Sequence, residues 1–94
     1  MRKHALDLKE TEITIKALSN KRRLLIVRFL RGKRSAPVGE IATSIKLSFK
    51  ATSKHLSILY SAGIVEKEQV SLQMLYRLSP EMSHVAKYIS NSLE

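Results

Sequence analysis

Polar side chains of the kind that bind phosphate groups and base edges cluster on one stretch of the chain, at Lys50, Ser53, Lys54 and His55. If this stretch is helical, Lys50 and Lys54 lie one turn apart on the same face, so both ammonium groups reach the same surface. Lysine binds phosphate oxygens and also donates to guanine, and serine hydroxyls donate to phosphate. The pattern is therefore typical of a surface that contacts a nucleic acid.

The positive charge of the chain is concentrated around these residues. Between Lys21 and Lys54 there are ten basic side chains and one acidic side chain, Glu40, whereas the rest of the chain has seven of each sign. The net charge of +9 therefore comes from this stretch. Such a concentration is costly through self-repulsion, and the usual partner that offsets the cost is a polyphosphate backbone. A basic face kept for solubility is the alternative on charge alone.

Composition limits the class of protein. Ninety-four residues, 44% of them hydrophobic, predict one domain over 1–94 with a thin core, for which a second subunit is a natural supplement. The absence of cysteine excludes disulfides, thiolate metal sites and thiol catalysis. No apolar run approaches the ~18 to 20 residues that span a bilayer, and the N-terminus lacks a signal-peptide apolar stretch. We therefore expect a cytoplasmic protein with no membrane partner.

Two helices are predicted at the start of the chain. Asp7 is a capping residue, and apolar side chains near helical spacing follow it over 8–18. Two β-branched residues in this stretch also alternate as they would in a strand, which is the alternative. A second helix, apolar on most of its circumference, ends at Gly32 and is expected to cross the core. Its Arg28 and Arg31 are expected to point to solvent.

Two further helices carry the polar face. After a short extended piece ending at Pro37, apolar residues at i, i+3, i+4 and i+7 predict an amphipathic helix over 38–45. Ser48 caps the next helix, and Gly63 ends it in the left-handed conformation that other residues adopt only with steric strain. The side of this helix that faces the core is predicted to consist of Thr52, Leu56 and Leu59, with Ile58 alongside.

The hydrophobic period changes from 3.6 to 2 after this helix. Residues 64–69 and 73–78 are predicted to be two strands joined as a hairpin. Ser79 and Pro80 are predicted to open a last helix. The apolar edge of that helix is expected to include Met82, Val85, Tyr88, Ile89 and Leu93. The fold class is therefore mainly α with a small β-hairpin, a winged helix-turn-helix in the order α-α-(β)-α-α-β-β-α.

The chain resembles the ArsR-type winged-helix transcriptional regulators in two segments, IATSIKLSFKATSKHLSILYSAGIV at 41–65 and ALSNKRRLLIVRFL at 17–30. The most specific parts are SKHL at 53–56, AGIV at 62–65 and Leu-Ser-Asn-x-x-Arg at 18–23. The resemblance implies that Arg23 contacts the DNA backbone and that the other matching residues lie on or beside the DNA-reading surface. The residues assigned to DNA binding are Arg23, Lys46, Ser48, Phe49, Lys50, Ser53, Lys54 and His55.

Several positions depart from the pattern of the family. Lys46 stands at the turn position usually held by glycine, and Thr52 stands where a core valine or isoleucine is expected. The wing has glutamates and apolar residues instead of a glycine-arginine tip, so we expect it to bind phosphate weakly. Phe49 is expected either to stack on a thymine methyl or to pack inward. His55 is expected on the DNA side, with helix packing as its alternative.

The resemblance also implies a homodimer built from the first and last helices, whose apolar edges a small winged core cannot wholly cover. The expected interface residues are Leu8, Ile15, Val85, Tyr88 and Ile89. The alternative is that the two helices pack only on each other within one chain. Metal-sensing members of the family have cysteines, or Asp and His pairs, where this chain reads APVGEIA and SPEMSHVAKYIS. With three scattered histidines (His4, His55 and His84), we expect no metal and no other cofactor.

The leading hypothesis is a homodimeric, sequence-specific regulator that binds double-stranded DNA and represses transcription by occupying its operator, without a metal effector. The alternative is a basic architectural or RNA-binding module that does not read sequence. A third hypothesis is an adaptor for acidic proteins. We expect no enzyme, because the sequence has no close His/Asp/Ser grouping, no glycine-rich phosphate loop and no paired carboxylates.

Overall fold

Five helices and three short strands make up residues 6–94, the part of the chain that the computed structural model describes. In chain order they are α1 (Leu8–Leu18), α2 (Lys21–Arg31), β1 (Ala36–Pro37), α3 (Val38–Ile45), α4 (Phe49–Ser61), β2 (Val65–Val70), β3 (Gln73–Leu78) and α5 (His84–Ser92). The strands form one antiparallel sheet in the order β1-β3-β2, and the β2–β3 hairpin is the wing. This is the winged helix-turn-helix predicted from the sequence. His4 lies outside the described residues.

Side-chain caps place the starts of the helices that position the candidate site. Asp7, Asn20 and Ser48 each accept a hydrogen bond from a backbone N–H of the following turn, at 3.1–3.2 Å. These bonds satisfy amide groups that have no partner inside the helix. The first helix has the predicted bounds and is not a strand. The turn after α4 contains Gly63 at φ +76°, the left-handed conformation predicted for it.

Helix α2 crosses the core as predicted. Its Ile26, Val27 and Leu30 are buried, and they belong to the same apolar cluster as Ile41 of α3 and Leu56 of α4. The central position of α2 follows from its apolar residues, which lie around most of its circumference and contact neighbours on several sides. Both helices of the helix-turn-helix therefore pack against one central element.

Arg28 and Arg31 are exposed as predicted, and both also donate hydrogen bonds to backbone carbonyls at and after the end of α5. The Arg31 guanidinium donates to the carbonyl oxygens of Ser90, at 2.7 Å, and of Leu93. Arg28 donates to the carbonyl oxygen of Glu94 at 2.9 Å. The last carbonyls of a helix have no intrahelical donors and carry partial negative charge, so two arginines at the C-terminal end of α5 stabilise it. Part of the basic charge of α2 therefore holds the last helix in place.

The last helix begins later than the sequence predicts. Ser79 and Pro80 do not open it: the Ser79 hydroxyl accepts the N–H of Glu81 in a local turn, and its own N–H donates to the carbonyl of Ile64. Ser83 is the cap, accepting the N–H of Ala86 at 3.2 Å, and α5 starts at the next residue. Both serines can cap a helix, but the first is held at the end of the sheet by its backbone bond, so the second is the N-cap.

The first strand of the wing lies one residue later than predicted, and the second strand has the predicted bounds, 73–78. β2 starts at Val65 and includes Val70, which pairs with Gln73, so the hairpin loop consists of two residues. The first of them, Ser71, has φ +58°. A positive φ at the first loop position suits the twist of a tight hairpin, although glycine is its usual occupant. The register brings the wing back to the core at the buried side chain of Tyr76.

The two departures in the helix-turn-helix have different physical consequences. Lys46 adopts the left-handed conformation, with φ 56° and ψ 50°, so it takes the backbone role of a turn glycine at some cost in strain. Thr52 is fully buried, and its hydroxyl has no hydrogen-bond partner among residues 6–94. An unpartnered buried hydroxyl destabilises the folded state, because it loses its bonds to water and gains none.

The other fully buried threonine gives a matched comparison, because the hydroxyl of Thr14 lies 3.2 Å from that of Ser83. We expect Thr52→Val to leave the free energy of unfolding unchanged or raise it by up to about 1 kcal/mol, and Thr14→Val to lower it by about 1 kcal/mol. Urea unfolding of both variants and the unmodified chain measures the difference. Equal losses from both substitutions would show that the Thr52 hydroxyl is satisfied.

Candidate nucleic-acid interface

Helix α4 has one side in the core and the other in solvent. Thr52, Leu56 and Leu59 are fully buried at helical spacing and fix which side faces the body. Lys50 and Lys54 project from the opposite side, one turn apart, and both are exposed. The predicted stripe of Thr52, Leu56 and Leu59 is confirmed, but Ile58, predicted alongside it, is 39% exposed because it follows Lys54 one turn later on the outer side.

The first turn of α4 carries the remaining predicted residues of this helix. Phe49 is 62% exposed, so it does not pack into the core, and it lines a groove together with Leu72 and Met74. Ser53 is half-buried. Ser48 uses its oxygen to accept the N–H of Ala51, which leaves its hydroxyl proton for an outside acceptor. Lys46 is exposed in the turn before the helix.

Arg23 and His55 contact each other, and together they join α2 to α4. The guanidinium of Arg23 donates from Nε to the carbonyl oxygen of Ala17 at 2.5 Å and from Nη1 to Nδ1 of His55 at 3.1 Å. Since arginine has no acceptor, Nδ1 of His55 is the accepting atom and the ring carries its proton on Nε2. His55 therefore packs between the two helices, as its alternative expected, and its contact with DNA remains a prediction.

The surroundings of His55 keep it neutral. Partial burial lowers the pKa of the His55 imidazole, and the charges of Arg23, Arg22 and Lys54 lower it further. The positive charges that act on the ring come from both helices, Arg22 and Arg23 on α2 and Lys54 on α4. Arg22 was missed as a site residue in the sequence, and its place next to Arg23 at the start of α2 is the signal that would have found it.

The basic residues of the 21–54 stretch divide into two groups. Four have partners within the chain: Arg23, Arg28 and Arg31 as described, and Lys33, which pairs with Glu40 at 3.0 Å and lies over the ring of Phe29. The side chains of the other six form no hydrogen bond or ion pair within residues 6–94: Lys21, Arg22, Arg34, Lys46, Lys50 and Lys54. Three of these six, Lys46, Lys50 and Lys54, lie in or just before α4.

The wing has little free positive charge. Arg77 pairs with Glu66 at 3.0 Å, and Lys67 lies over the ring of Tyr60 at 4.4 Å. The tip instead presents Leu72, which is 96% exposed. Weak phosphate binding by this wing remains a prediction.

The predicted dimer residues lie on two helices that also contact each other, through the hydroxyls of Thr14 and Ser83. That contact leaves the outer apolar side chains uncovered in the isolated chain: Leu8 is 86% exposed, Ile15 51% and Tyr88 74%. Val85 and Ile89 are half-buried. Assembly through this face remains a prediction.

Residues 6–94 contain no group of three or more His, Cys, Asp or Glu side chains that could hold a metal ion. Among the same residues, no helix has both the length and the apolar character needed to cross a membrane.

The fold and the exposed face of α4 define the class of protein, a winged helix-turn-helix transcriptional regulator. Residues 20–67 match the model of the bacterial regulatory protein arsR family. The chain is also 33% identical over 67 residues to the HTH-type transcriptional regulator YgaV of Escherichia coli K12, covering 71% of this chain and 68% of that protein. The chain therefore belongs to the ArsR family, whose members are regulators and not enzymes.

Solved structures agree with this assignment. The homodimeric winged helix-turn-helix DNA-binding domain of Mb0332 from Mycobacterium bovis is 31% identical, with a TM-score of 0.78 over 89% of this chain and 75% of that one. The transcriptional repressor BigR from Xylella fastidiosa is 28% identical, with a TM-score of 0.74 over 89% and 83% of the two chains.

The lowered pKa of His55 predicts how stability depends on pH. The unfolded chain binds a proton at His55 more readily than the folded chain does. The contribution of His55 to the free energy of unfolding is therefore fully present above the ordinary pKa of about 6.5 and is lost as the pH drops below it. Replacing the ring by His55→Gln removes this contribution. Between about pH 7.5 and about pH 5.5, the free energy of unfolding measured with urea should therefore fall less in the variant than in the unmodified chain. An identical loss in both proteins would contradict the assignment.

Proposed function

We propose that this protein is a homodimeric repressor that binds a specific double-stranded DNA site through α4 and occludes it, without a metal effector. The observation that carries the proposal is the outward face of α4, where Lys50 and Lys54 are exposed one turn apart and have no partner within residues 6–94. The buried stripe on the opposite side prevents this face from turning inward.

The dimensions of α4 suit the major groove. A helix with its side chains is about 10 to 12 Å across, and the major groove of B-DNA is about 12 Å wide. Insertion of the N-terminal half would bring Lys50 and Lys54 to base edges, where lysine donates to the acceptors of guanine. The exposed ring of Phe49 would contact a thymine methyl group. These side chains are proposed to read the sequence.

Backbone contacts are proposed for the residues around this face. Lys46 and Ser48 precede α4, and Ser53 and His55 flank its lysines, so all four can reach phosphates on either side of the groove. Arg23 would contribute through the N–H groups that its bonds to Ala17 and His55 leave unused. Such contacts set the orientation of the protein on the duplex and carry no sequence information themselves.

The outer faces of α1 and α5 are proposed to form the dimer interface, with Leu8, Ile15, Val85, Tyr88 and Ile89 in it. Support comes from the exposure of Leu8 and Tyr88 and from the homodimeric state of the Mb0332 domain. A two-fold dimer sets its two reading helices about 34 Å apart, which matches successive major grooves of a pseudo-palindrome. The whole chain, 1–94, then acts as one DNA-binding domain whose terminal helices dimerise.

Repression is proposed because BigR, a structural relative, is a repressor. Access to the chromosome requires a cytoplasmic, nucleoid-associated location. The lack of cysteine and of a metal-ligand cluster among residues 6–94 supports an activity independent of metal.

The DNA-reading role of α4 is tested with a site selected by the unmodified protein from random duplexes. Lys50→Ala and Lys54→Ala should each weaken binding to that site by about 1 to 3 kcal/mol if the lysine reads a base, and lower the salt slope by about 1 if it binds phosphate. Lys87→Ala on α5, also an exposed lysine, is the matched control and should change neither. Fluorescence anisotropy across a salt series measures both quantities.

Two results of that titration would contradict the proposal. A flat response of affinity to salt would exclude phosphate binding. An equal loss on the selected site and on unrelated duplexes, for both lysine variants, would instead indicate a binder that does not read sequence.

The dimer face is tested by charge insertion. Tyr88→Asp places a carboxylate on the exposed outer side of α5 and should convert the dimer to monomer, because burying an unpaired charge in an apolar interface is unfavourable. Leu72→Asp, on the still more exposed tip of the wing, is the matched control and should remain dimeric. Sedimentation equilibrium measures the difference. A dimer that persists in the Tyr88 variant places the interface elsewhere.

A further inference from the structure

A groove between α1 and α4 shares one residue, Arg23, with the proposed DNA contacts and none with the proposed dimer contacts. Its apolar wall residues are Ile13 and Ala17 of α1, Ile58 of α4 and Ala62, which follows α4, and Ser57 and Ser61 also line it. Its volume is about 480 Å³, within the range of about 300 to 1,000 Å³ that small-molecule sites occupy. Ile13 and Ile58 are 43% and 39% exposed, so the walls present apolar surface to solvent.

The charged groups of this groove have one sign. Lys16 and Arg23 line it, and no acidic side chain does. Arg23 directs Nε to Ala17 and one Nη1 hydrogen to His55, and the hydrogens of Nη2 have no acceptor within residues 6–94. Lys16 is held only by an exposed ion pair of 3.8 Å with Glu12 one turn away, which is a weak interaction. Both cations are therefore available to an anion in the groove.

Helix geometry keeps the groove separate from the dimer face and next to the DNA face. Ile13 lies about 200° around α1 from Ile15, a proposed dimer residue, so the two side chains point in nearly opposite directions. On α4, Ile58 follows Lys54 at i+4 and continues the row of the reading lysines. An occupant would thus lie beside the basic surface and outside the dimer contact.

We infer that the groove between α1 and α4 binds an amphipathic organic monoanion, with its apolar tail between Ile13 and Ile58 and its carboxylate at Arg23 and Lys16. The apolar walls of the groove bind the tail, and the two cationic side chains favour a negatively charged head group. The bound carboxylate adds negative charge beside Arg22, Arg23 and Lys54, which lowers the attraction of this surface for DNA phosphates. The monoanion therefore lowers the affinity for DNA, and DNA lowers the affinity for the monoanion by the same factor. This inference rests on the proposed DNA-binding function.

The test uses decanoate as the probe, with decanol as its uncharged analogue and decyltrimethylammonium as its cationic one. Amide and methyl NMR shifts during titration should saturate and centre on Ile13, Ala17, Ile58 and Ala62, and both analogues should bind at least about tenfold more weakly. Lys16→Glu should weaken decanoate binding at least about fivefold, because it puts a like charge at the carboxylate. Lys9→Glu, on the same helix outside the groove, is the matched control and should bind as the unmodified chain does.

Binding to DNA is followed in the same samples. Saturating decanoate should weaken affinity for the selected site by about fivefold in the unmodified protein and in the Lys9 variant. The inference would be overturned by NMR shifts that do not saturate or that centre elsewhere in the chain. It would also be overturned if the cationic analogue bound as tightly as decanoate, or if the Lys16 variant bound decanoate with unchanged affinity. Since DNA binding without decanoate is measured separately, failure of the groove proposal is distinguishable from failure of the proposed function.

Discussion

The functional surface depends on a narrow buried stripe along α4. Leu56 and Leu59 are fully buried, and they join α4 to the same core as α2 and α3. A helix anchored along so narrow a stripe can present most of its circumference to solvent, but it cannot rotate without exposing leucine. The stripe thus fixes the direction of Lys50 and Lys54. In the proposed function, the fold acts mainly by holding these two ammonium groups outward on a rigid helix.

Positive charge has both a structural and a functional role in this chain. Arg28 and Arg31 hold the carbonyl end of α5, and Arg23 connects the end of α1 to His55 on α4. One face of α2 therefore fixes the helix proposed for dimerisation, and its start fixes the helix proposed for reading DNA. Because arginine donates several hydrogen bonds at once, a single side chain can tie two elements together and keep unused N–H groups for an external anion.

Features that depend on local residue spacing were predicted from the sequence, whereas features that depend on contacts between distant residues were missed. The bounds of α1 and α3 follow from caps and apolar periodicity, and both helices were predicted with the residues they have. The start of α5 was wrong, because a sheet contact of Ser79 with Ile64 decided between two serines. The bond between Arg23 and His55 joins residues 32 positions apart, and no local pattern encodes it. Local rules therefore determined the elements and tertiary contacts determined the pairings.

The central claim is that the exposed face of α4 enters the major groove of two successive half-sites. Methylation interference at guanine N7 tests it directly, because that atom lies in the major groove. On the selected site, we predict interference in two clusters about 10 base pairs apart, related by two-fold symmetry. Loss of both clusters is expected when Lys50 and Lys54 are replaced together by alanine. Binding that tolerates methylation at every guanine N7 and depends only on backbone phosphates would contradict the account.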